Sequence, residues 1–316
     1  MRKLLITGIS GGQGRLVTKM AVRAASGMQP WQVAGVDRAP WSSAPEGVTV
    51  HRIDLRKRAF EDVFRHERPD AVVHLAFVRH FLTDPVTRHE INVEGTKRLL
   101  EHCATYGVKQ LVVVSSSYVY GAFPANERYM TEDHPLNASR TFPEIRDLCE
   151  VEGLVAAFLW RYPEIATSVL RPVSTLGHAV HNAVGRYLAM PMVPTILGFN
   201  PMMQFLHEED LAEAILLALE HRLRGIFNVD GPGAVPIKRA IREMGRQRVS
   251  IPDPIAHLLI RTLFNLNIYA FPAGAVDFLK YPCTVNGSRF REATGFRPRH
   301  PLGEIFATMR SAEDEQ

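Results

Sequence analysis

The feature that most constrains this chain lies at its very start. Lys3-Leu4-Leu5-Ile6-Thr7 reads as a short buried strand, followed at once by Gly8-Ile9-Ser10-Gly11-Gly12-Gln13-Gly14 and then by a helical pattern. Glycines at 8, 11 and 14 allow a tight turn, bring backbone close to a ligand without an intervening Cβ, and let the helix lie against the strand. The first turn of such a helix presents unsatisfied N–H groups and the positive end of its dipole, which together attract a pyrophosphate. Gly8, Ser10, Gly11, Gly12, Gln13 and Gly14 are therefore expected to contact a dinucleotide.

A second strand, Gln32 to Asp37, ends on an acidic residue 23 positions beyond Gly14. A carboxylate there accepts hydrogen bonds from the adenosine ribose and repels a 2′-phosphate, which favours NAD over NADP. Arg38 stands beside it as a group that tolerates the phosphate.

The rest of the first 175 residues repeats the same alternation, with further strands expected at Val48 to Ile53, Ala71 to Leu75, Gln110 to Ser115 and Thr167 to Leu170. Pro85 to Tyr106 reads as one long helix, opened by Asp84-Pro85 and closed at Gly107, and Pro143 to Arg161 as another. This rhythm predicts an α/β fold: a Rossmann-type doubly wound parallel sheet over residues 1–175. After Pro172 proline and glycine become frequent, and residues 176–316 are expected to form a smaller mixed lobe that binds substrate, with some chain crossing back to the first domain. That lobe would hold helices at Glu208 to His221 and around Pro254 to Asn267, and a short strand at Gly225 to Val229.

Composition narrows the class. Hydrophobic residues make up 46% and charged residues 22% of the 316 positions, a globular balance. The net charge of +4 is dispersed, and the densest basic cluster, Arg56-Lys57-Arg58, is followed by Glu61 and Asp62, so no nucleic-acid stripe forms. The three cysteines, Cys103, Cys149 and Cys283, fit neither a disulfide framework nor a zinc motif, and no metal is expected; a reducing compartment, the cytoplasm, follows. The apolar run after Lys3 is too short for a signal-peptide core, and no run of about 18 apolar residues exists to span a membrane.

Across nearly its whole length the chain resembles the extended short-chain dehydrogenase/reductase family, in its NAD-dependent epimerase/dehydratase group. The glycine turn, Asp54-Leu55, His74-Leu75-Ala76, Asn92-Val93-Glu94-Gly95-Thr96, Ser115-Ser116-Ser117-Tyr118-Val119-Tyr120-Gly121 and Leu170-Arg171-Pro172 carry the resemblance. Gln204-Phe205-Leu206-His207 and Gly295-Phe296-Arg297-Pro298 extend it into the second lobe. The likeness implies that Asp54 and Leu55 sit beside adenine, that Leu75, Ala76, Phe77, Asn92, Ser115 and Pro172 line the cofactor, and that the two long helices 85–106 and 143–161 pair in a homodimer. It also implies a small-molecule substrate, such as a sugar nucleotide.

The family's chemistry uses a serine or threonine, a tyrosine and a lysine. Counting from Val119-Tyr120-Gly121, the serine position falls on Ser116. If Glu150 is the acidic residue that follows the lysine by four, Phe142 stands at the tyrosine position and Arg146 at the lysine position. Phenylalanine cannot move a proton, and arginine, although able to bind ribose hydroxyls, stays charged. Tyr118, Tyr120, His80 and His134 are then candidates for a relocated acid or base. The alternative is a catalytically impaired protein that senses NAD or scaffolds a partner. The Met-rich segment Tyr187 to Leu197 and the apolar residues of Ile255 to Phe278 favour an apolar alcohol or ketone as substrate if they face a ligand, and otherwise form the lobe's core. Arg186, Arg289 and Arg291 are available to clamp a second pyrophosphate, and His207 reads as a helix cap.

Overall fold

The computed structural model describes residues 2–23, 29–78, 83–142, 145–180, 182–256, 258, 262 and 273–314. Strands β1 (Lys3–Thr7), β2 (Gln32–Asp37), β3 (Thr49–Arg52), β4 (Ala71–His74), β5 (Gln110–Val114) and β6 (Ala166–Pro172) alternate with helices as expected. These are α1 (Gly12–Val22), α2 (Ala59–Glu67), α3 (Pro85–His89), α4 (Gly95–Thr105) and α5 (Arg146–Arg161). Every pairing is parallel, and the order β3-β2-β1-β4-β5-β6 reverses direction between β1 and β4. In sheets of this kind ligands bind at that reversal, beyond the carboxyl ends of the strands.

Because side chains alternate along a strand, each strand supplies both faces with core. Leu4, Ile6, Val33, Val73 and Val112 share one cluster with Val17 of α1 and the apolar face of a later helix. Leu5, Val36, Val72, Leu111 and Val113 form the other, with Phe60 and Phe64 of α2, Leu99 of α4 and Val151 of α5.

The long helix expected from Pro85 is present, with Asp84 capping it by accepting the Thr87 amide at 2.9 Å. It is not regular: between α3 and α4 the turn Glu90–Glu94 widens to π geometry. Such turns mark places where a helix redirects side chains for a purpose. Of the second long helix, Pro143 and Glu144 lie outside the described residues, and α5 begins at Arg146.

After β6 the chain forms β7 (Ser174–Leu176), α6 (Ala183–Ala189), β8 (Met192–Ile196), β9 (Met202–His207), α7 (Glu208–Glu220), β10 (Gly225–Val229), β11 (Ala234–Pro236), α8 (Ile237–Glu243), β12 (Gln247–Ile251), α9 (Ser288–Thr294) and α10 (Leu302–Asp314). β7, β9 and β11 make one small sheet and β8 and β12 another. One expectation is corrected here. The strand Gly225–Val229, assigned by sequence to the small lobe, is the seventh strand of the main sheet, pairing in parallel with β6 from Gly225↔Ser168 to Val229↔Pro172. α7 makes the crossover and buries Leu211, Ile215 and Leu219 against the main sheet, so the chain returns to the first layer after leaving it.

The Met-rich segment resolves toward core. Tyr187, Leu188, Val193 and Ile196 are buried with Phe205, Ile241 and Phe306 in the small lobe, while Met192 and Leu197 stay exposed. Most of the helix expected around Pro254 to Asn267 lies outside the described residues. No described helix is long and apolar enough to cross a membrane.

Candidate functional site

The glycine turn is held together by contacts that only glycine permits. Gly8 has φ +76°, and a Cβ there would sit 3.0 Å from the Ala76 amide nitrogen. A Cβ on Gly14 would come within 2.3 Å of the Gly8 carbonyl oxygen, so α1 rests directly on the turn. Gly12 faces the segment after β7, where a Cβ would meet the Ala179 carbonyl oxygen at 1.8 Å. The N-cap of α1 is Gly11, which has no side chain to cap it. Gln13 donates to the Glu208 carbonyl at 3.2 Å, and its own side-chain oxygen is buried without a partner among the described residues. An uncapped helix start beside an orphaned polar atom is the arrangement that a phosphate ligand completes.

Asp37, the last residue of β2, lies beside the glycine turn. One carboxylate oxygen accepts the Ser10 amide at 3.0 Å and the other the Ala39 amide at 3.0 Å, while the Ser10 hydroxyl donates to the Ala39 carbonyl. The carboxylate is thus fixed between the turn and the end of β2. Arg38 is exposed next to it. Asp54 is gripped by Arg56 through its side chain at 2.8 Å and its amide at 2.9 Å, a clamp that pulls its pKa below the usual carboxylate range. The Leu55 side chain is buried in the core beneath.

A cleft of about 410 Å³ runs from this turn across the ends of β4, β5 and β6. Leu75, Phe77 and Val78 line its middle, and Ala76 packs its backbone against Gly8. Asn92, in the π turn, reaches across to bond both the amide and carbonyl of Val78 at 2.8 and 3.2 Å, which fixes that wall. His74 is fully buried behind it, between the Thr7 and Thr96 hydroxyls.

Ser116, Tyr118 and Ser174 line the other end, together with Pro172. The Tyr118 hydroxyl and the Ser174 hydroxyl are 2.7 Å apart, and the Tyr118 ring stands edge-on to Phe278 with centroids 4.7 Å apart. Burial pushes the Tyr118 phenol well above its ordinary pKa, and the hydrogen bond from Ser174 offsets only part of this. Ser115 turns the other way and donates to Glu152. Glu152 forms a buried ion pair with Arg171, which also donates to the Tyr120 hydroxyl at 2.7 Å; Tyr120 in turn donates to Asn228 at 2.8 Å. Tyr120 is therefore a member of a core network, its pKa pushed up to about 12 by burial. Ser115 and Tyr120 both lie beneath the cleft and do not line it.

The other candidates separate. Phe142 is 4% exposed, packed with Val119, Ala138, Leu148 and Phe278. Arg146 begins α5 exposed to solvent and is not among the lining residues, whereas Ile145, Asp147 and Leu148 are. His134 accepts the Thr131 amide and pairs with Glu127 away from the cleft. His80 lies outside the described residues. Of the arginines, Arg186 lines the cleft rim, while Arg289 pairs with Glu132 and Asp133 and Arg291 with Asp230.

Sequence reasoning missed Asp147. It is 6% exposed, lines the cleft, and is held by Arg88 at 3.2 Å and His89 at 3.3 Å. An acidic residue between Ile145 and Leu148 on the buried side of a helix was the available signal.

Known proteins share this architecture. The model of the NAD dependent epimerase/dehydratase family matches residues 4–230. An uncharacterised protein of Mycobacterium tuberculosis is 31% identical over 261 residues, covering 81% of this chain and 69% of that one. A UDP-glucose 4-epimerase of Oryza sativa subsp. japonica is 38% identical over 110 residues, which is 32% of this chain and 26% of the rice protein. Among solved structures, the UDP-glucose 4-epimerase of Thermus thermophilus in complex with NAD superposes with a TM-score of 0.77 at 24% identity, over 99% of this chain and 98% of that one. The dTDP-glucose 4,6-dehydratase of Bacillus anthracis, also with NAD, gives 0.76 at 14% identity, covering 100% of this chain and 97% of that chain.

Proposed function

Because the chain belongs to the NAD dependent epimerase/dehydratase family, a family of enzymes, we propose that its cleft holds NAD and interconverts an alcohol and a carbonyl on a nucleotide sugar. One observation carries this reading. A single cleft is bounded at one end by the uncapped, glycine-lined start of α1 and at the other by the Ser116, Tyr118 and Ser174 hydroxyls. The first-turn amides of α1 hold the pyrophosphate, Asp37 takes the adenosine ribose, and Leu75, Phe77, Val78 and Asn92 form the wall along the cofactor. Bound NAD supplies a hydride acceptor and donor.

The family's tyrosine and lysine are absent in either possible alignment. Glu150 is exposed, whereas Glu152 is 2% exposed and pairs with Arg171, so Glu152 better fits the acidic member of the motif. Counting four back from it moves the lysine position to Leu148 and the tyrosine position to Glu144. Proton transfer then falls to the hydroxyls that face the cleft. Ser116 orients the substrate oxygen. Tyr118 stays a phenol at neutral pH, since its neighbours Ser174 and Cys283 bring no positive charge to lower its pKa. It acts as a hydrogen-bond and proton donor, which suits conversion of a carbonyl to an alcohol.

Arg186, the one basic residue among the described residues lining the cleft, is positioned at the rim for the substrate's diphosphate, and this favours a nucleotide sugar over an apolar alcohol. Val86 and Trp160, 67% and 78% exposed on α3 and α5, support pairing of two copies through those helices.

The test is a survey of nucleotide sugars with NAD and NADH, following cofactor absorbance and product chromatography. Tyr118→Phe is expected to lower the rate about 100-fold or more while leaving NAD affinity in place. Full activity in Tyr118→Phe rejects the proton assignment. Tight NAD binding with no turnover on any substrate selects a second reading, a protein that senses NAD, which the lack of the motif's tyrosine and lysine in either alignment favours.

A further inference from the structure

A cluster of imidazoles and carboxylates stands where β9 meets α7. His207 ends β9 and caps α7 by accepting the Glu209 amide at 3.3 Å. His300, in the loop before α10, stacks its ring on that of His207, with centroids 3.8 Å apart and planes inclined by 22°. Asp210, fully buried, holds His300 from behind: its carboxylate meets His300 Nδ1 at 2.9 Å and accepts the Arg299 amide at 3.1 Å and the His300 amide at 3.3 Å. The opposite nitrogen, Nε2, points toward Glu209 at 3.6 Å and Glu304 at 3.9 Å.

We propose that His207, Glu209 and His300 form a binding site for a divalent transition-metal cation of the zinc type, His207 exchanging its long 3.3 Å bond from the Glu209 amide for the ion. One donor atom from each of the three lies within 4.8 Å of the other two, and Glu209, exposed, is free to turn toward the imidazoles. Two imidazoles with a carboxylate are a donor set that suits zinc rather than calcium or magnesium, which prefer oxygen alone. A carboxylate behind one histidine, fixing which nitrogen faces outward, is the support that metal-binding histidines usually have. The three residues come from two distant stretches of sequence, so a shared ion ties the start of α7 to the loop before α10. Cysteine spacing gave no sign of it, because the donors are histidine and glutamate brought together only by folding.

The site also adjoins the cleft. Glu208, between two of the ligands, accepts the Ala179 and Val180 amides at 2.9 and 2.8 Å, and the Ala179 carbonyl lies against Gly12. A metal ion that fixes the start of α7 therefore stiffens the segment facing the glycine turn.

The proposal stands independently of the NAD reading, and its test reads metal binding directly. The full chain, stripped with a chelator, is titrated with zinc chloride by calorimetry and followed by thermal melting. One equivalent per chain and a raised melting temperature are expected. His300→Ala and Glu209→Ala should each weaken zinc binding about tenfold or more, and His221→Ala, on a surface histidine outside the cluster, should leave it unchanged. Glu209→Ala removes an exposed side chain, so its folding is secure even if His300→Ala is destabilised. No stoichiometric binding, or equal binding by wild type and Glu209→Ala, overturns the assignment and leaves His300 as a partner in an ion pair only.

Discussion

Removing the Glu152 carboxylate tests how the cleft floor is supported. Glu152 and Arg171 are each 2% exposed, joined by contacts of 2.6 and 2.8 Å. Arg171 also serves the Tyr120 hydroxyl and the Glu132 carbonyl, and its strand runs directly into Pro172 at the cleft. In Glu152→Ala the guanidinium stays charged and buried without its counter-ion, a situation that costs about 3–5 kcal/mol. For a chain of 316 residues, an unfolding entropy of about 2.1 cal/mol/K per residue converts this to a fall in melting temperature of about 5–8 °C. The pair itself need not be stabilising, because burying two charges nearly cancels their attraction. The double variant Glu152→Leu with Arg171→Met should therefore recover most of the loss. Thermal and urea unfolding of the single and double variants measure both quantities. A loss below about 1 kcal/mol for Glu152→Ala, or a double variant less stable than the single, refutes the reasoning.

Two further outcomes follow from the cleft. Gly14→Ala places a methyl 2.3 Å from the Gly8 carbonyl and 2.8 Å from Ile9 Cα, both backbone atoms, so α1 must shift. Such overpacking costs about 1–3 kcal/mol, and fluorescence titration should show NAD bound about tenfold more weakly, a loss of about 1.4 kcal/mol. Arg186→Gln, at an exposed position, should leave stability within about 0.5 kcal/mol and raise the KM for a nucleotide sugar about tenfold, a charge-assisted hydrogen bond's worth; an unchanged KM separates Arg186 from substrate.

How much of this was legible in the sequence depended on whether the signal was local. The strand, glycine turn and helix of residues 3–22 and the carboxylate at Asp37 announce themselves because spacing along the chain dictates them. Asp84 and Gly107 bounded the first long helix for the same reason, although its π turn, which sets Asn92, left no mark. β10 was assigned to the wrong sheet because a short strand such as Gly225–Val229 carries no record of its partner; only the crossover through α7 brings it to β6. Glu150 and Glu152 are the same residue two positions apart on one helix, and only burial and the contact with Arg171 tell them apart. Methionines and leucines between Tyr187 and Leu197 fit a ligand surface or a core equally well, and packing against Phe205 and Phe306 decides for core at Tyr187, Leu188, Val193 and Ile196.

Calorimetric titration of the purified chain with NAD and with NADP, repeated on Asp37→Ala, bears most directly on whether the glycine turn and its neighbouring carboxylate hold a dinucleotide. One equivalent of NAD should bind, more tightly than NADP, and Asp37→Ala should lose about tenfold in NAD affinity and with it the preference. Absence of binding by either dinucleotide, or an Asp37→Ala variant that binds and discriminates as the wild type does, contradicts the account.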